Sequence, residues 1–381
     1  MLTKHSSTRD PVMAILVSNL TVQHLKKQIV NPRIKLLLEA NKEVNLDYFY
    51  FSINRVRLPE GKIKGVYWND RYNLWLTKEY ALPDVLYLRG GIPLRYRDRF
   101  EMFMEVLANN KTSIINYPRF NKWDLYVTVS QDQVLKDNLP ATRTVNKPRE
   151  IVKMLQHYDS VYLKSHLGRK GDFVLRVDKQ SNEYYRYSYY KHSRNELVIN
   201  TVYGLPALQD EVYKFFRGKD FIIQQAIDLL TIDSRLVDMR AELQRNRYGK
   251  LEIAGISVRV GKPNSPITTH DAAYPFDSFF ENEMHYPKER VEKIREKAEQ
   301  FLFRVYDCIE KKYGEYVEIG IDFAIDANDK LWLIEANSQS TKNSLGKAYG
   351  RDVLLKAYRN ILEYARYVAE NEAKDRPFFV T

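Results

Sequence analysis

The run 317–338, VEIGIDFAIDANDKLWLIEANS, carries three oxygen-donor side chains, Asp322, Glu335 and Asn337. Its alternating polarity predicts a β-hairpin. Glu318, Gly320, Asp322 and Ala324 take one face, and Ile319, Ile321, Phe323 and Ile325 the other. On the return strand Leu333, Glu335 and Asn337 share a face, with Trp332, Ile334 and Ala336 opposite. A two-residue turn at Asn328-Asp329, residues that tolerate positive φ, sets Asp322 across from Glu335. The same register pairs Phe323 with Ile334 and Ile325 with Trp332. Opposed carboxylates repel, and a buried pair is costly unless positive charge lies between them. A hard cation such as Mg2+, its octahedron completed by phosphate oxygens, meets that need. The alternative is a solvated hairpin whose acids are incidental.

Three further features carry charge or amides toward such a site. A strand over 161–164 ends in Lys164 and enters Ser165-His166-Leu167-Gly168-Arg169-Lys170-Gly171. Glycines there let backbone amides approach phosphate, although basic glycine-containing turns are common on any surface. The apolar strand 221–227, FIIQQAI, ends in amides that can meet a nucleobase edge, or is simply a buried strand end. Arg240 and Arg259 lie on adjacent predicted strands, suited either to a triphosphate or developing oxyanion or to an ordinary solvated face.

The elements that must position these groups follow from pattern. Strand-like runs at 12–17, 48–53, 84–88 and 114–117, with helical patterns between, predict a small parallel α/β domain over 1–115. A second segment, 116–225, is read with a helix beginning near Ser130, a break at Leu139-Pro140, a helix over 148–157 and strands at 161–164 and 173–178. The third, 226–381, contains a hairpin of 236–245 with 250–260, and a long helix over 288–312. That helix buries Val291, Ile294, Ala298, Phe301, Leu302, Val305 and Ile309 at a 3.6-residue period. The donor hairpin follows, and a terminal helix over 351–372 closes the chain. The tyrosine-rich EYYRYSYYKHSR at 183–194 reads as a solvent-facing strand pair, with a base-stacking platform as the alternative.

Composition narrows the classes. Apolar content of 44% and charged content of 29% in 381 residues fit an ordinary globular chain of two or three domains. No run approaches the ~20 apolar residues of a membrane span. The first residues lack a signal-peptide pattern, so a cytoplasmic chain is expected. One cysteine, Cys308, excludes an intrachain disulfide and a cysteine-cluster metal site. The net charge of +11 points to an acidic partner. Basic residues are scattered and no nucleic-acid module is legible, so a phosphate-bearing nucleotide with an anionic acceptor is favoured over nucleic acid.

Taken in order, the motifs resemble the ATP-grasp superfamily, and within it the YheC/YheD group described as endospore-coat-associated. The resemblance runs through PDVLYLR at 83–89, Asn121-Lys122-Trp123, Leu139-Pro140-Ala141-Thr142, Gln224-Gln225-Ala226-Ile227, Asp238-Met239-Arg240 and GIDFAID…WLIEANS. It implies an α+β fold in which two subdomains sandwich ATP behind a small N-terminal α/β domain. It also implies that Lys122 and Lys164 reach the phosphates and that Ser165, Gly168, Arg169 and Gly171 belong to a closing loop. Gln224, Gln225 and Ile227 would line the adenine, with Asp228 or Asp233 near the ribose. Arg240 and Arg259 would stabilise the transferring group, and Asp322, Glu335 and Asn337 would hold one or two Mg2+ ions, Mn2+ being a substitute. The implied activity is carboxylate–amine ligation through an acylphosphate on a peptide or amino-acid substrate. The alternative is an ATP-binding coat component with little turnover. Many relatives have a proline and a glycine soon after the metal-binding Asn, where this chain has Ser338-Gln339-Ser340-Thr341-Lys342. His270 and Gln at the adenine edge are further departures from the pattern.

Overall fold

The computed structural model describes residues 9–116, 121–166, 173–181, 183–263, 265–266 and 272–371. Three sheets follow one another along the chain. The first holds β1 (Val12–Leu16), β2 (Asp47–Phe51), β3 (Val56–Arg57), β4 (Lys62–Asn69), β5 (Leu74–Tyr80), β6 (Val85–Leu88) and β7 (Ser113–Ile115). Strand β1 pairs in parallel with β2 and β6, and β6 with β7, through apolar runs buried on both faces. Helices α1 (Asn19–Lys26) and α2 (Pro32–Val44) cover one face, and Phe103 and Leu107 of α3 (Arg97–Asn109) pack on the other. The sheet is mixed rather than purely parallel. The Trp/Tyr-rich stretch folds as the antiparallel hairpin β4–β5 on its flank.

After α4 (Lys122–Ser130), the second sheet is antiparallel. It comprises β8 (Thr142–Thr144), β9 (Ser160–Ser165), β10 (Val174–Lys179), β11 (Tyr184–Lys191), β12 (Glu196–Tyr203) and β13 (Phe221–Gln225), in the order β12-β11-β10-β9-β13-β8. One face packs on α5 (Arg149–His157) and α6 (Leu205–Phe216), and the alternating residues Tyr162 and Lys164 turn away from that core. Two expectations fail here. A helix ends at Ser130 rather than beginning there, because Asn121 caps it by accepting from the Asp124 amide at 2.8 Å. The tyrosine-rich strand faces solvent on one side only, through Tyr184 and Arg186. Strand β11 is flanked on both sides, and Tyr185, Tyr187 and Tyr190 are buried.

The third sheet holds β14 (Thr231–Ile232), β15 (Arg235–Arg245), β16 (Leu251–Val260), β17 (Ala272–Pro275), β18 (Glu318–Ile325) and β19 (Leu331–Asn337). Its main path is β17-β16-β15-β18-β19, which leaves β19 an edge strand. After the single turn α7 (Phe276–Ser278), helix α8 (Lys288–Tyr313) packs under it. All seven apolar positions read from the sequence are buried, and Gly314 at φ 84° ends the helix. The terminal helix α9 (Asn343–Asn371) starts earlier than expected and is broken at Gly350, where φ is 81°. Its Tyr358, Ile361, Leu362, Ala365 and Val368 join the core between α2 and the first sheet. Because Leu302 is fully buried between α8 and the third sheet, Leu302→Ala is expected to cost about 2–5 kcal/mol, read as a lower urea midpoint.

Candidate active site

The site is built on the polar face of the third sheet. Strands β15 and β18 put Met239, Ala241, Leu243, Ile319, Ile321, Phe323 and Ile325 into the core under that sheet. Alternation therefore leaves Asp238, Arg240 and Glu242 on one strand, and Glu318, Gly320 and Asp322 on the next, facing the other way. Asp322 lies directly across from Glu335, as the sequence predicts, but by another route. The turn is one residue longer than expected: Asp326 pairs with Lys330 through a 3.1 Å backbone bond, and Asp329 takes the left-handed conformation at φ 58°. Phe323 consequently faces Leu333, and Ile325 faces Leu331. A bulge at Ile334 then restores the register, so that Asp322 meets Glu335 and Gly320 meets Asn337. The bulge also corrects the return strand's faces. Leu331, Leu333 and Ala336 enter the core, whereas Trp332 turns out and donates to Asp326 at 2.9 Å.

Cations close on the two carboxylates from several elements. Arg240, the cross-strand neighbour of Asp322, grips it through Nε at 2.5 Å and Nη2 at 3.1 Å. Arg259 lies on β16 and bridges Asp238 (Nε, 2.5 Å) to Asp322 (Nη1, 3.1 Å). Burial alone would lower the Arg259 pKa, but Asp238 and Asp322 together raise it above the usual guanidinium value. Lys122, at the start of α4, reaches Glu335 Oε2 at 2.5 Å. The Asn337 amide fits with its nitrogen 3.0 Å from Glu335 Oε1 and its oxygen 3.3 Å from Arg240 Nη2. Gly320 makes room for the guanidinium, since a Cβ there would lie 2.1 Å from Arg240 Nη1.

Lys164 enters from the second sheet. It donates to Gln224 Oε1 at 2.6 Å, and Gln224 in turn donates to Thr142 Oγ1 at 2.9 Å. Burial, reinforced by Lys122, brings its pKa down from 10.5 to about 8, against the opposing pull of Glu335 and Asp322. Two lysines from different elements thus share one field with two acids.

The remaining expected site residues divide. Gln225 accepts from the Ala141 amide at 3.3 Å, and Ile227 follows in the loop beyond β13. Ser165 is buried at the end of β9, its amide bonded to Phe173 O. Asp228 is exposed in the same loop as Ile227. Asp233 is exposed at the tip of the β14–β15 hairpin, where it and Ser234 both have positive φ. Gly168, Arg169, Gly171 and His270 lie outside the described residues. Sequence reading missed Thr142 and Asp238 as partners of the site, and it gave no role to Glu318, Arg89 or Lys342. Glu318 did carry a signal, since it alternates onto the face of Asp322.

Three α/β layers, with a polar cleft between an antiparallel second sheet and a donor hairpin, define an ATP-grasp fold. The solved structure of D-cycloserine synthetase DcsG matches with a TM-score of 0.51 at 10% identity, covering 93% of this chain and 99% of that one. The ATP-grasp ligase PsnB complexed with a minimal precursor also scores 0.51, at 12% identity over 93% and 100% of the two chains. The family model described as YheC/D-like ATP-grasp matches residues 111–368, and the chain belongs to that family. Two relatives come from Bacillus subtilis (strain 168). Endospore coat-associated protein YheD is 27% identical over 332 residues, 84% of this chain and 70% of its own length. Endospore coat-associated protein YheC is 21% identical over 289 residues, 74% and 78% of the two chains.

The Lys164 shift gives a pH signature in the ligand-free protein. Below about pH 8 both folded and unfolded states hold the proton, and the burial penalty is fully felt. Between about 8 and 10.5 the folded lysine has lost its proton while the unfolded one keeps it, so stability rises with pH. Wild type should therefore gain on Lys164→Met across that window, measured as urea midpoints of the pair from pH 7 to 10.5.

Proposed function

We propose that the chain is a Mg2+- and ATP-dependent carboxylate–amine ligase. The observation that carries this reading is the convergence of Lys122, Lys164, Arg240 and Arg259 on the cross-strand Asp322–Glu335 pair. Two carboxylates and an amide form a hard-oxygen set suited to Mg2+, with positions left for phosphate oxygens and water. Bound there, Mg2+ would neutralise triphosphate charge and orient the terminal phosphoryl group.

This chain's own residues supply the rest. Lys122 and Lys164 exchange Glu335 and Gln224 for phosphate oxygens, with Ser165, Gly168, Arg169 and Gly171 closing over them. Gln224, Gln225 and Ile227 hold the adenine edge, and Asp228 or Asp233 lies toward the ribose. A carboxylate oxygen of the substrate attacks the γ-phosphorus, ADP leaves, and an acylphosphate forms. The amine then attacks the acyl carbon, phosphate leaves, and the nitrogen loses a proton to give the amide. Arg240 and Arg259 stabilise the negative charge that develops in both steps. Loop closure keeps water from the acylphosphate. The +11 charge favours an acidic peptide, amino-acid or envelope substrate.

Release of ADP across a panel of carboxylates and amines tests the reading, with Glu335→Ala as the control. Removal of a metal donor should lower turnover by at least ~100-fold, since even groups behind the donors are worth 10–100-fold. A Glu335→Ala protein of undiminished activity would refute the assignment. The names of the relatives support a second reading, a nucleotide-binding coat component with little turnover. Background ADP release over the whole panel, with Mg2+ and ATP still raising the melting temperature, would favour it.

A further inference from the structure

Strand β19 carries Glu335 and Asn337, yet among the described residues it lies at the edge of its sheet with β18 as its single neighbour there. The bulge at Ile334 loosens the ladder just before the first donor. Local opening is easiest where backbone hydrogen bonds are few and exposed, so contacts from outside the sheet matter at such an edge. Asn138 Nδ2 holds the start of β19, donating to Leu331 O at 2.7 Å, and Lys122 pairs with Glu335. The end of the strand is held by the segment 338–342, which continues directly from Asn337 and is fastened at five points.

Asn116 Nδ2 donates to Ser338 O at 2.6 Å, while its Oδ1 accepts from the Glu318 amide at 3.1 Å. Gln339 Nε2 reaches Leu88 O at 3.4 Å. Ser340 is held twice: its carbonyl accepts from Arg89 Nη2 at 3.1 Å, and its hydroxyl donates to Glu242 Oε1 at 2.5 Å. Lys342, in the left-handed conformation at φ 55°, pairs with Glu318 Oε2. The other oxygen of Glu318 accepts from Tyr87 Oη at 2.8 Å and Arg89 Nη1 at 2.5 Å. Both Glu318 and Lys342 are essentially fully buried, and Arg89 is 16% exposed. A buried ion triad of this kind is a weak source of net stability, because apolar side chains of similar volume do as well or better. In some proteins a buried ionic group of this kind instead fixes which parts of the fold meet. Here the fixed parts are the end of β6 in the first sheet and the chain directly after the two donors.

We propose that Glu318, clamped between Arg89 and Lys342, is a positioning residue. It ties 338–342 to the first sheet and so holds Glu335 and Asn337 at the spacing from Asp322 that a divalent cation requires. The proposal rests on the reading of those three residues as cation donors, and Glu318 itself touches neither the cation nor the nucleotide.

The test uses the full chain as wild type, Glu318→Gln and Arg89→Met, with ADP as nucleotide. Binding of ADP is measured in EDTA and across a Mg2+ titration, and amide exchange is followed over 338–342. Both variants should bind ADP in EDTA as the wild type does, within twofold. The Mg2+ concentration giving half of the metal-dependent gain in affinity should rise by about tenfold or more. Amides of 338–342 should exchange faster. A merely structural role would lower the melting temperature and leave the Mg2+ midpoint in place. That midpoint staying within twofold of wild type in folded Glu318→Gln overturns the clamp. If Glu318→Gln does not fold, Arg89→Met decides by the same criterion. A wild-type protein whose ADP affinity ignores Mg2+ overturns the cation reading, and the clamp falls with it.

Discussion

Two carboxylates face each other across a buried pair of strands, and most of the site can be derived from that constraint. Asp322 is 8% exposed, so its charge cannot be left to water. The protein answers with guanidinium groups from β15, beside β18, and from β16, one strand further on, while an ammonium from the start of α4 meets Glu335. Each cation comes from an element whose place is fixed for another reason. Arg240 and Arg259 are set by the pleat of strands whose opposite faces build the core under the third sheet. Lys122 is set by a helix capped at Asn121 and packed against α8 through Leu125 and Val129. The field at the site is therefore a by-product of packing fixed elsewhere in the fold.

The same hairpin joins two environments. Its apolar face is continuous with the core over α8, and its polar face opens toward Lys164 of the second sheet. Farther along β18, at Glu318, the polar face closes again under Arg89, Ser340 and Lys342. Acids four residues apart on one strand thus have different partners: Arg240 and Arg259 hold Asp322, whereas Tyr87, Arg89 and Lys342 enclose Glu318.

Local pattern made much of this legible. The 3.6-residue period of α8 reflects one buried face, and the two-residue alternation of β18 separates an apolar face from a polar one although both are buried, so both patterns could be read without tertiary information. The pairing of Asp322 with Glu335 was also reached from sequence, although two departures cancelled to give it. The loop is one residue longer than a two-residue turn, and the bulge at Ile334 compensates. Neither is visible in polarity, because Ile334 is apolar whichever way it points. Helix α4 was misplaced since its residues, KWDLYVTVS, alternate weakly in polarity, and its clearest marker is the cap at Asn121. Strand β11 was taken for a surface strand because tyrosine is amphipathic, and its burial depends on neighbours the sequence does not display.

By itself the sequence determined the inventory, which side chains are oxygen donors and which are cations, and, where no bulge intervenes, which face of a strand or helix each occupies. It also carried enough ordered motifs to indicate the family. Only the tertiary structure decided which cation meets which acid. Arg89 and Tyr87 reach Glu318 across 229 and 231 residues of chain, and Lys122 reaches Glu335 across 213. Periodicity reports the environment of one element along its own axis. Contacts of that span follow from how separate sheets and helices are stacked, and no repeat in the chain encodes that stacking.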